Sequence, residues 1–112
     1  MATKLYKNEI RVKAPFLAIK CLDSHIVSPV ACMDMRPYTK SHYLLPRITG
    51  PLVVCKSGYH LTSWSTVFMH SSFDSVLFLV EVPLGARLKF GSSNKFMVDT
   101  FRFIKRIKRP IT

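Results

Sequence analysis

The run Val76–Val82 constrains the fold of this chain more than any other stretch of the sequence. Its letters, VLFLVEV, are apolar at both odd and even positions until Glu81. Successive side chains of a strand point to opposite faces, so a run that is apolar at both parities predicts a strand buried on both faces. Pro83 and Gly85 then end the strand. We therefore expect Val76–Val82 to be a central strand rather than a half-exposed one.

Other apolar runs between Gly and Pro breaks predict the remaining core strands. They cover Phe16–Leu22, 52–55 and 96–104, and a shorter strand is expected near Arg87–Phe90. In the last of the long runs, Phe96 and Val98 share one parity while Phe101 takes the other. Because a one-residue shift moves side chains to the other face, this change predicts a bulge near residues 99–100.

One segment favours a helix. Residues 63–70, SWSTVFMH, follow Thr62, and Thr62 or Ser63 can cap the first turn. Trp64 and Phe68 are four residues apart and would share one helix face. The chain is therefore predicted to be a compact single α+β domain, mostly antiparallel or mixed sheet with one or two short helices. Residues 14–109 would form this domain, and residues 1–13 a basic N-terminal arm or edge strand.

Length and composition agree with one globular domain. The chain has 112 residues, 48% of them hydrophobic, which is too apolar for a disordered segment. Its three cysteines show no disulfide-framework spacing. The first residues lack the apolar stretch of a signal peptide, and no apolar run is long enough to span a membrane. We expect a cytoplasmic protein with reduced thiols.

The charge is unusual and is concentrated at the two ends of the chain. Seventeen Lys and Arg against six Asp and Glu give a net charge of +11. Such an excess predicts attraction to polyanions and says nothing about the fold. We expect the binding residues to be the terminal cations, which are Lys4, Lys7, Arg11, Lys13, Arg102, Lys105, Arg106, Lys108 and Arg109.

The C-terminal cations alternate with aromatic and aliphatic residues. Strand periodicity predicts that Arg102, Arg106 and Lys108 share one face, with Phe101, Phe103 and Ile107 on the other. Cations of such a stripe can contact phosphates, and an exposed Phe can stack on a base. The partner is predicted to be nucleic acid, a nucleoprotein or an acidic host protein. If the first and last strands are neighbours, both basic ends would form one patch.

Two further groups of residues are weaker candidates for chemistry. Cys55 and His60 could form a thiolate and its base, but the favoured interpretation is a buried Cys and a His bonded to a loop carbonyl. A zinc site would need Cys21, His25, Cys32 and His42. Their spacing matches no common zinc pattern, so no metal is predicted.

The hexapeptide CKSGYH at 55–60 resembles the C-x-S-G-[FLY]-H centre of a small uncharacterised domain family of phages and mobile elements, sometimes found ahead of pentapeptide-like repeats. Residues 18–20 resemble the family's K-A-[FYI]-K strand, and residues 80–85 its V-E-[VL]-x-G strand end. The resemblance covers residues 16–109, and Asn94-Lys95 stands where the family has Asp-Lys. It implies a phage-encoded protein and carries no established activity.

The order of a strand, a glycine, Tyr59-His60, a helix and Glu81 is also similar to the rim of ADP-ribosyltransferase-like folds. In those folds a histidine or arginine and a glutamate hold a nicotinamide dinucleotide. The alternative function is therefore an NAD-handling or nucleotide-handling site at Tyr59, His60 and Glu81, and a structural or virion-associated role is a third. Because no convincing catalytic set is present, the leading hypothesis is a non-enzymatic binding protein without a cofactor.

Overall fold

Two antiparallel sheets make up the computed structural model of the chain, which describes residues 4–23, 34–54, 56–63, 76–91 and 95–108. The Cα radius of gyration is 13.1 Å. A folded domain of about 100 residues has a radius of roughly 13 Å, so this chain is as compact as a single domain should be.

The strands are short in one sheet and longer in the other. In chain order they are β1 (Ile10–Arg11), β2 (Phe16–Leu22), β3 (Tyr59–Leu61), β4 (Val76–Val82), β5 (Arg87–Phe90), β6 (Phe96–Val98) and β7 (Arg102–Ile107). The four-stranded sheet has the order β1-β5-β6-β3, and the three-stranded sheet has the order β2-β4-β7. Ile10–Arg11 is thus an edge strand.

Strand β4 is the centre of the three-stranded sheet, as its two apolar faces predict. It pairs with β2 from Phe16↔Val82 to Leu22↔Val76 and with β7 on its other side. Val80 and Val82 are fully buried in the main core between the sheets. Leu77 points the other way and is buried in a second, smaller cluster with Ile19. The predictions for Phe16–Leu22, Val76–Val82 and Arg87–Phe90 are confirmed.

Aromatic rings fill the space between the two sheets. The Phe103 ring lies edge-on to the rings of Phe78 and Phe101, with centroids 5.1 Å apart in both pairs. Tyr59 makes the same kind of contact with Phe101 at 5.3 Å. Edge-to-face pairs at this separation are favourable beyond the area that they bury. These rings join β3, β4 and β7 in one core.

The two sheets are connected along one side by backbone hydrogen bonds. Thr62, just after β3, exchanges N–H···O bonds of 2.8 and 2.9 Å with Ile19 of β2. This bridge joins the end of β3, at the edge of the four-stranded sheet, to β2, at the edge of the three-stranded sheet. Thr62 is therefore part of an extended pairing, whereas the sequence predicted it as a possible helix cap.

The segment 52–55 was predicted as a strand, and this is wrong for the described residues 52–54. Leu52 is fully buried, but Val53 pairs only with Ser57 across a tight turn, and Val54 is exposed. Gly58 follows with a φ of +105°, and a Cβ there would lie 2.9 Å from Leu52 Cδ2. Glycine therefore suits position 58, because its φ is positive and Leu52 occupies the space that a Cβ would take. The strand that follows is β3, outside the predicted run.

The predicted strand 96–104 is two strands in different sheets. Instead of a bulge at 99–100, the chain leaves β6 and crosses to β7. Residues of the crossing pair with an incoming loop, since Leu45 N–H donates to Phe101 O at 2.8 Å and Ile48 N–H donates to Asp99 O at 2.9 Å. A register shift does occur, but it lies within β7, opposite Leu79 and Val80.

The described part of the chain is all-β rather than α+β, and it contains no helix. The predicted helix 63–70 lies outside the described residues except for Ser63. Within the described ranges, no helix is long and apolar enough to cross a membrane.

Candidate anion-binding surface

Two of the six acidic residues are buried around one arginine. Arg87 of β5 has a side chain that is 1% exposed, and the side chains of Glu9 and Asp99 beside it are 0% exposed. Arg87 Nη1 donates to Glu9 Oε1 at 2.8 Å. Asp99 Oδ1 accepts the Arg87 backbone N–H at 2.9 Å, and Asp99 Oδ2 lies 3.4 Å from Arg87 Nε. These two carboxylates therefore contribute little negative charge to the surface.

Further hydrogen bonds join this buried group to backbone atoms of the surrounding loops. Arg87 also donates to the carbonyls of Ile48 and Gly50, at 2.6 and 3.0 Å. Glu9 accepts the backbone N–H groups of Leu52 and Tyr6, at 2.9 and 3.0 Å. Burial raises the pKa of Glu9, but the hydrogen bonds from these N–H groups and from Arg87 outweigh it, so that the pKa is lowered overall.

Two further acidic residues are paired with arginines. Glu81 Oε1 accepts from Arg102 Nε at 2.8 Å, and Asp34 Oδ2 accepts from Arg36 Nη2 at 2.8 Å. Asp23 is exposed, and Asp74 lies outside the described residues. Four of the six carboxylates are thus matched by an arginine.

Most of the described cations, by contrast, face solvent. The predicted binding residues Lys4, Lys7 and Lys13 are exposed on the N-terminal arm, as are Lys105, Arg106 and Lys108 at the C-terminal end. Arg11 is half-buried and donates to Gly85 O at 3.1 Å. Arg102 is held by Glu81, and Arg109 lies outside the described residues. Lys40 and Lys56 are exposed cations of other segments.

The two basic ends are not neighbours in a sheet. Strand β1 pairs with β5 in the four-stranded sheet, whereas β7 pairs with β4 in the other. One continuous patch was predicted on the condition that the first and last strands are neighbours. Strands β1 and β7 are not neighbours, so this condition is not met. The structure offers two basic regions, each carried by a different sheet.

The predicted stripe on β7 is also divided between two faces. Arg102 pairs with Glu81 and Lys105 with Leu79, so these two cations share the outer face of the sheet. Arg106 pairs with Phe78, whose side chain points to the main core face. The register shift opposite Leu79 and Val80 reverses the alternation between residues 103 and 105, which separates Arg102 from Arg106. Arg106 is nevertheless exposed, because β7 is an edge strand.

The residues of the predicted nucleotide site do not converge. Tyr59 is 5% exposed, and its hydroxyl donates to Pro46 O at 2.6 Å. Burial raises the pKa of Tyr59 to about 12. Glu81 lies between the fully buried Val80 and Val82, so it points to the opposite, outer face of the other sheet. Tyr59 and Glu81 therefore face different surroundings.

His60 is part of a buried polar contact rather than of an open rim. The residue is 7% exposed, and its Nδ1 lies 3.2 Å from Gly58 O, to which it donates. Lys20 Nζ donates to His60 O at 2.9 Å. Burial and the nearby Lys20 charge lower the pKa of His60 to about 4, and burial lowers the pKa of Lys20 to about 8. The Cys55 of the Cys–His pair lies outside the described residues.

Only two of the four residues considered for a zinc site, Cys21 and His42, lie within the described residues. His25 and Cys32 lie outside the described residues. His42 is exposed, and its Nδ1 donates to Phe103 O at 2.9 Å. Within the described residues, no three His, Cys, Asp or Glu side chains lie close enough to hold a metal ion.

Sequence reasoning missed the buried group formed by Arg87, Glu9 and Asp99. The local signal was slight: Arg87 stands between Ala86 and Leu88 in an apolar strand, and Glu9 is the single acid among the N-terminal cations. Neither observation identifies the partners.

Comparison of the chain with protein-family models, with curated proteins and with solved structures finds no match. The resemblance to the phage domain family therefore stays a prediction.

Proposed function

We propose that this is a small, phage-encoded, non-enzymatic binding protein that docks its exposed cations on an anionic partner. The partner would be nucleic acid, a nucleoprotein or an acidic host protein. One observation carries the proposal: four of the six carboxylates are matched by arginines, while most of the described cations of both terminal segments face solvent, namely Lys4, Lys7, Lys13, Lys105, Arg106 and Lys108. The charge excess is thus displayed on the surface.

The exposed cations would act mainly through long-range attraction and counterion release. Lys or Arg side chains that contact phosphates release condensed ions, so affinity falls steeply as salt rises. An acidic protein face is attracted by the same charges, with a weaker salt dependence. The proposed function needs no catalytic group.

The test is affinity capture from a host lysate, with and without nuclease, by the unaltered chain and two variants. Lys105→Glu with Lys108→Glu reverses charge at the end of β7, where both side chains are exposed. Arg102 is left intact because its loss would leave Glu81 without its ion pair. The matched control is Lys40→Glu with Lys56→Glu, which changes two exposed lysines elsewhere by the same charge.

We expect the β7 variant to capture less of its partner than the control does. Capture that disappears after nuclease treatment identifies nucleic acid or a nucleoprotein, and capture that resists nuclease identifies an acidic protein. If both variants keep every partner, or if capture is the same at low and physiological salt, the cations serve only solubility and the proposal is wrong.

A further inference from the structure

An apolar groove opens at the end of the core, beside the N-terminal arm. It has a volume of about 770 Å³ and is lined by β1, β5, β6 and the start of β2. Its main lining residues are Leu5, Ile10, Phe16, Phe90 and Phe96. Sites that bind small molecules or side chains commonly enclose roughly 300–1,000 Å³. The groove is therefore large enough for several bulky side chains.

The groove lies where the two sheets meet through Phe16 and Phe96, whose ring centroids are 5.9 Å apart. Phe90 and Phe96 are cross-strand partners on the face that also carries Leu88. Leu88 is buried between the sheets, but Phe90, one pair further along, is 70% exposed. Ile10 is 51% exposed and Leu5 is 40% exposed. A contiguous exposed apolar patch of this kind marks an interaction site more often than scattered single residues do.

Two cations line the groove on the side of the N-terminal arm. Arg11 and Lys13 belong to its lining, and Lys4 and Lys7 lie on the same arm. The one acid in the lining is Glu9, whose side chain is 0% exposed and is bonded to Arg87. The groove thus combines an apolar floor with a rim that is positive.

We infer that this groove docks an acidic segment of a partner protein that carries large apolar side chains. The apolar side chains would fill the space between Ile10, Phe90 and Phe96, and the carboxylates would lie near Lys13 and the other rim cations. Buried apolar anchors with a charged rim are the usual anatomy of a specific protein interface. The inference rests on the proposed function and narrows its partner to an acidic protein.

The lining favours a peptide over a nucleic acid. Single-stranded nucleic acids bind on exposed aromatic faces that stack on successive bases. Here aliphatic Leu5, Ile10 and Val12 contribute beside the aromatic rings, and the surface is concave. Aliphatic and aromatic side chains of a peptide complement such a surface. Strand β1 is the edge of its sheet, where an extended segment can lie alongside it and point alternate side chains inward.

The experiment measures fluorescence anisotropy of a labelled short peptide in which Leu and Phe alternate with Asp and Glu. Two control peptides replace either the apolar residues by Ser or the acids by Asn and Gln, and labelled oligothymidylate serves as the nucleic-acid probe. Each is titrated with the full chain at low and physiological salt. The protein variants are Phe90→Ala and Ile10→Ala. Tyr43→Ala is the control, because Tyr43 is 77% exposed and lies outside the groove lining.

We expect the acidic apolar peptide to bind and both control peptides to bind more weakly. Truncation of an interface anchor commonly weakens binding by about tenfold, which is the effect expected for Phe90→Ala and Ile10→Ala, while Tyr43→Ala changes nothing. Circular dichroism of each variant verifies that the fold is kept.

Two different failures separate the inference from the proposed function. If the peptide binds but Phe90→Ala, Ile10→Ala and the Ser-substituted peptide leave its affinity unchanged, contact is by charge alone. If only oligothymidylate binds, the partner is a nucleic acid rather than an acidic protein. In both cases the groove is not the docking site, and the proposed function stands. If neither probe binds in a salt-dependent way, the proposed function fails together with the inference.

Discussion

The two sheets of this protein are stabilised in different ways. The three-stranded sheet has strands of seven, seven and six residues whose apolar side chains pack on both faces. The four-stranded sheet has strands of two to four residues. Strands this short pair over few residues, and here buried ions join them to the surrounding loops. The three-stranded sheet is stabilised by apolar side chains that recur along its strands, whereas the four-stranded sheet depends on individual ionic contacts.

The buried ions connect segments that are far apart in the chain. Glu9 comes from the N-terminal arm, Arg87 from β5 and Asp99 from the crossing between β6 and β7. Arg47 adds a bond from Nη1 to Asp99 Oδ2 at 3.0 Å. The same group therefore holds both the arm that carries the groove and the loop 46–52 that covers the outer face of the four-stranded sheet.

The largest expected effect comes from breaking this group. Arg87→Met would leave Glu9 and Asp99 buried without their common partner, and losing one member of a buried ion pair costs about 3–5 kcal/mol. The measurement is the free energy of unfolding from urea denaturation. Arg36→Met removes an exposed ion pair and is expected to change little. Equal effects of the two substitutions would contradict the stabilising role assigned to the buried group.

Acid should weaken the four-stranded sheet next most strongly. The pKa of His60 in the folded state is about 4, against about 6.5 when unfolded, so the unfolded chain takes up more protons between these values. The contribution of His60 to stability is therefore complete above pH 6.5 and falls by up to about 3 kcal/mol as the pH drops to 4. Glu9, whose folded pKa is lowered, adds a further loss only below its unfolded pKa of about 4.3.

The substitution His60→Gln separates these two contributions. It should remove the slope of stability between pH 6.5 and pH 4 and leave the loss below that range. Urea denaturation at a series of pH values provides the measurement. An unchanged slope in the variant would assign the acid sensitivity to other groups.

The smallest of the three effects on stability is expected from a substitution in β4, the central strand of the three-stranded sheet. Val80→Ala removes two methyl groups from a fully buried position and should cost about 2 kcal/mol through lost burial and the cavity left behind. Leu17→Ala, on the same sheet but at a side chain that is 59% exposed, should cost less than about 0.5 kcal/mol. Thermal unfolding of both variants tests this ordering. A larger loss of stability for Leu17→Ala would contradict the exposed position of Leu17 on β2.

Strands β2 and β4 could be predicted from local sequence because their signal is local. The runs Phe16–Leu22 and Val76–Val82 are mostly apolar at both parities, which predicts strands buried on both faces. The same signal misled at 96–104, where the parity change marks a crossing between sheets. It also misled at 52–54, where Leu52 is buried without a long strand around it.

The candidate surface was predictable only as a charge. Counting Lys and Arg indicates that the termini are basic, and the exposed positions of Lys4, Lys13 and Lys108 are ordinary for such residues. The counts do not indicate that the matching acids are buried or paired, nor that Arg102 and Arg106 lie on different faces. The groove was absent from the prediction, because Leu5, Phe16 and Phe90 become neighbours only through folding.

The sequence alone was enough to specify the existence of strands β2 and β4, the central position of β4 and the basic character of the chain. Each of these depends on residues close together in the chain or on composition alone. Tertiary structure decided the division into two sheets, the burial of Glu9 with Arg87 and the groove at the end of the core. Glu9 and Arg87 are 78 positions apart. Alternation along a strand reports which face a side chain takes, and it contains no information about the distant segment that covers that face.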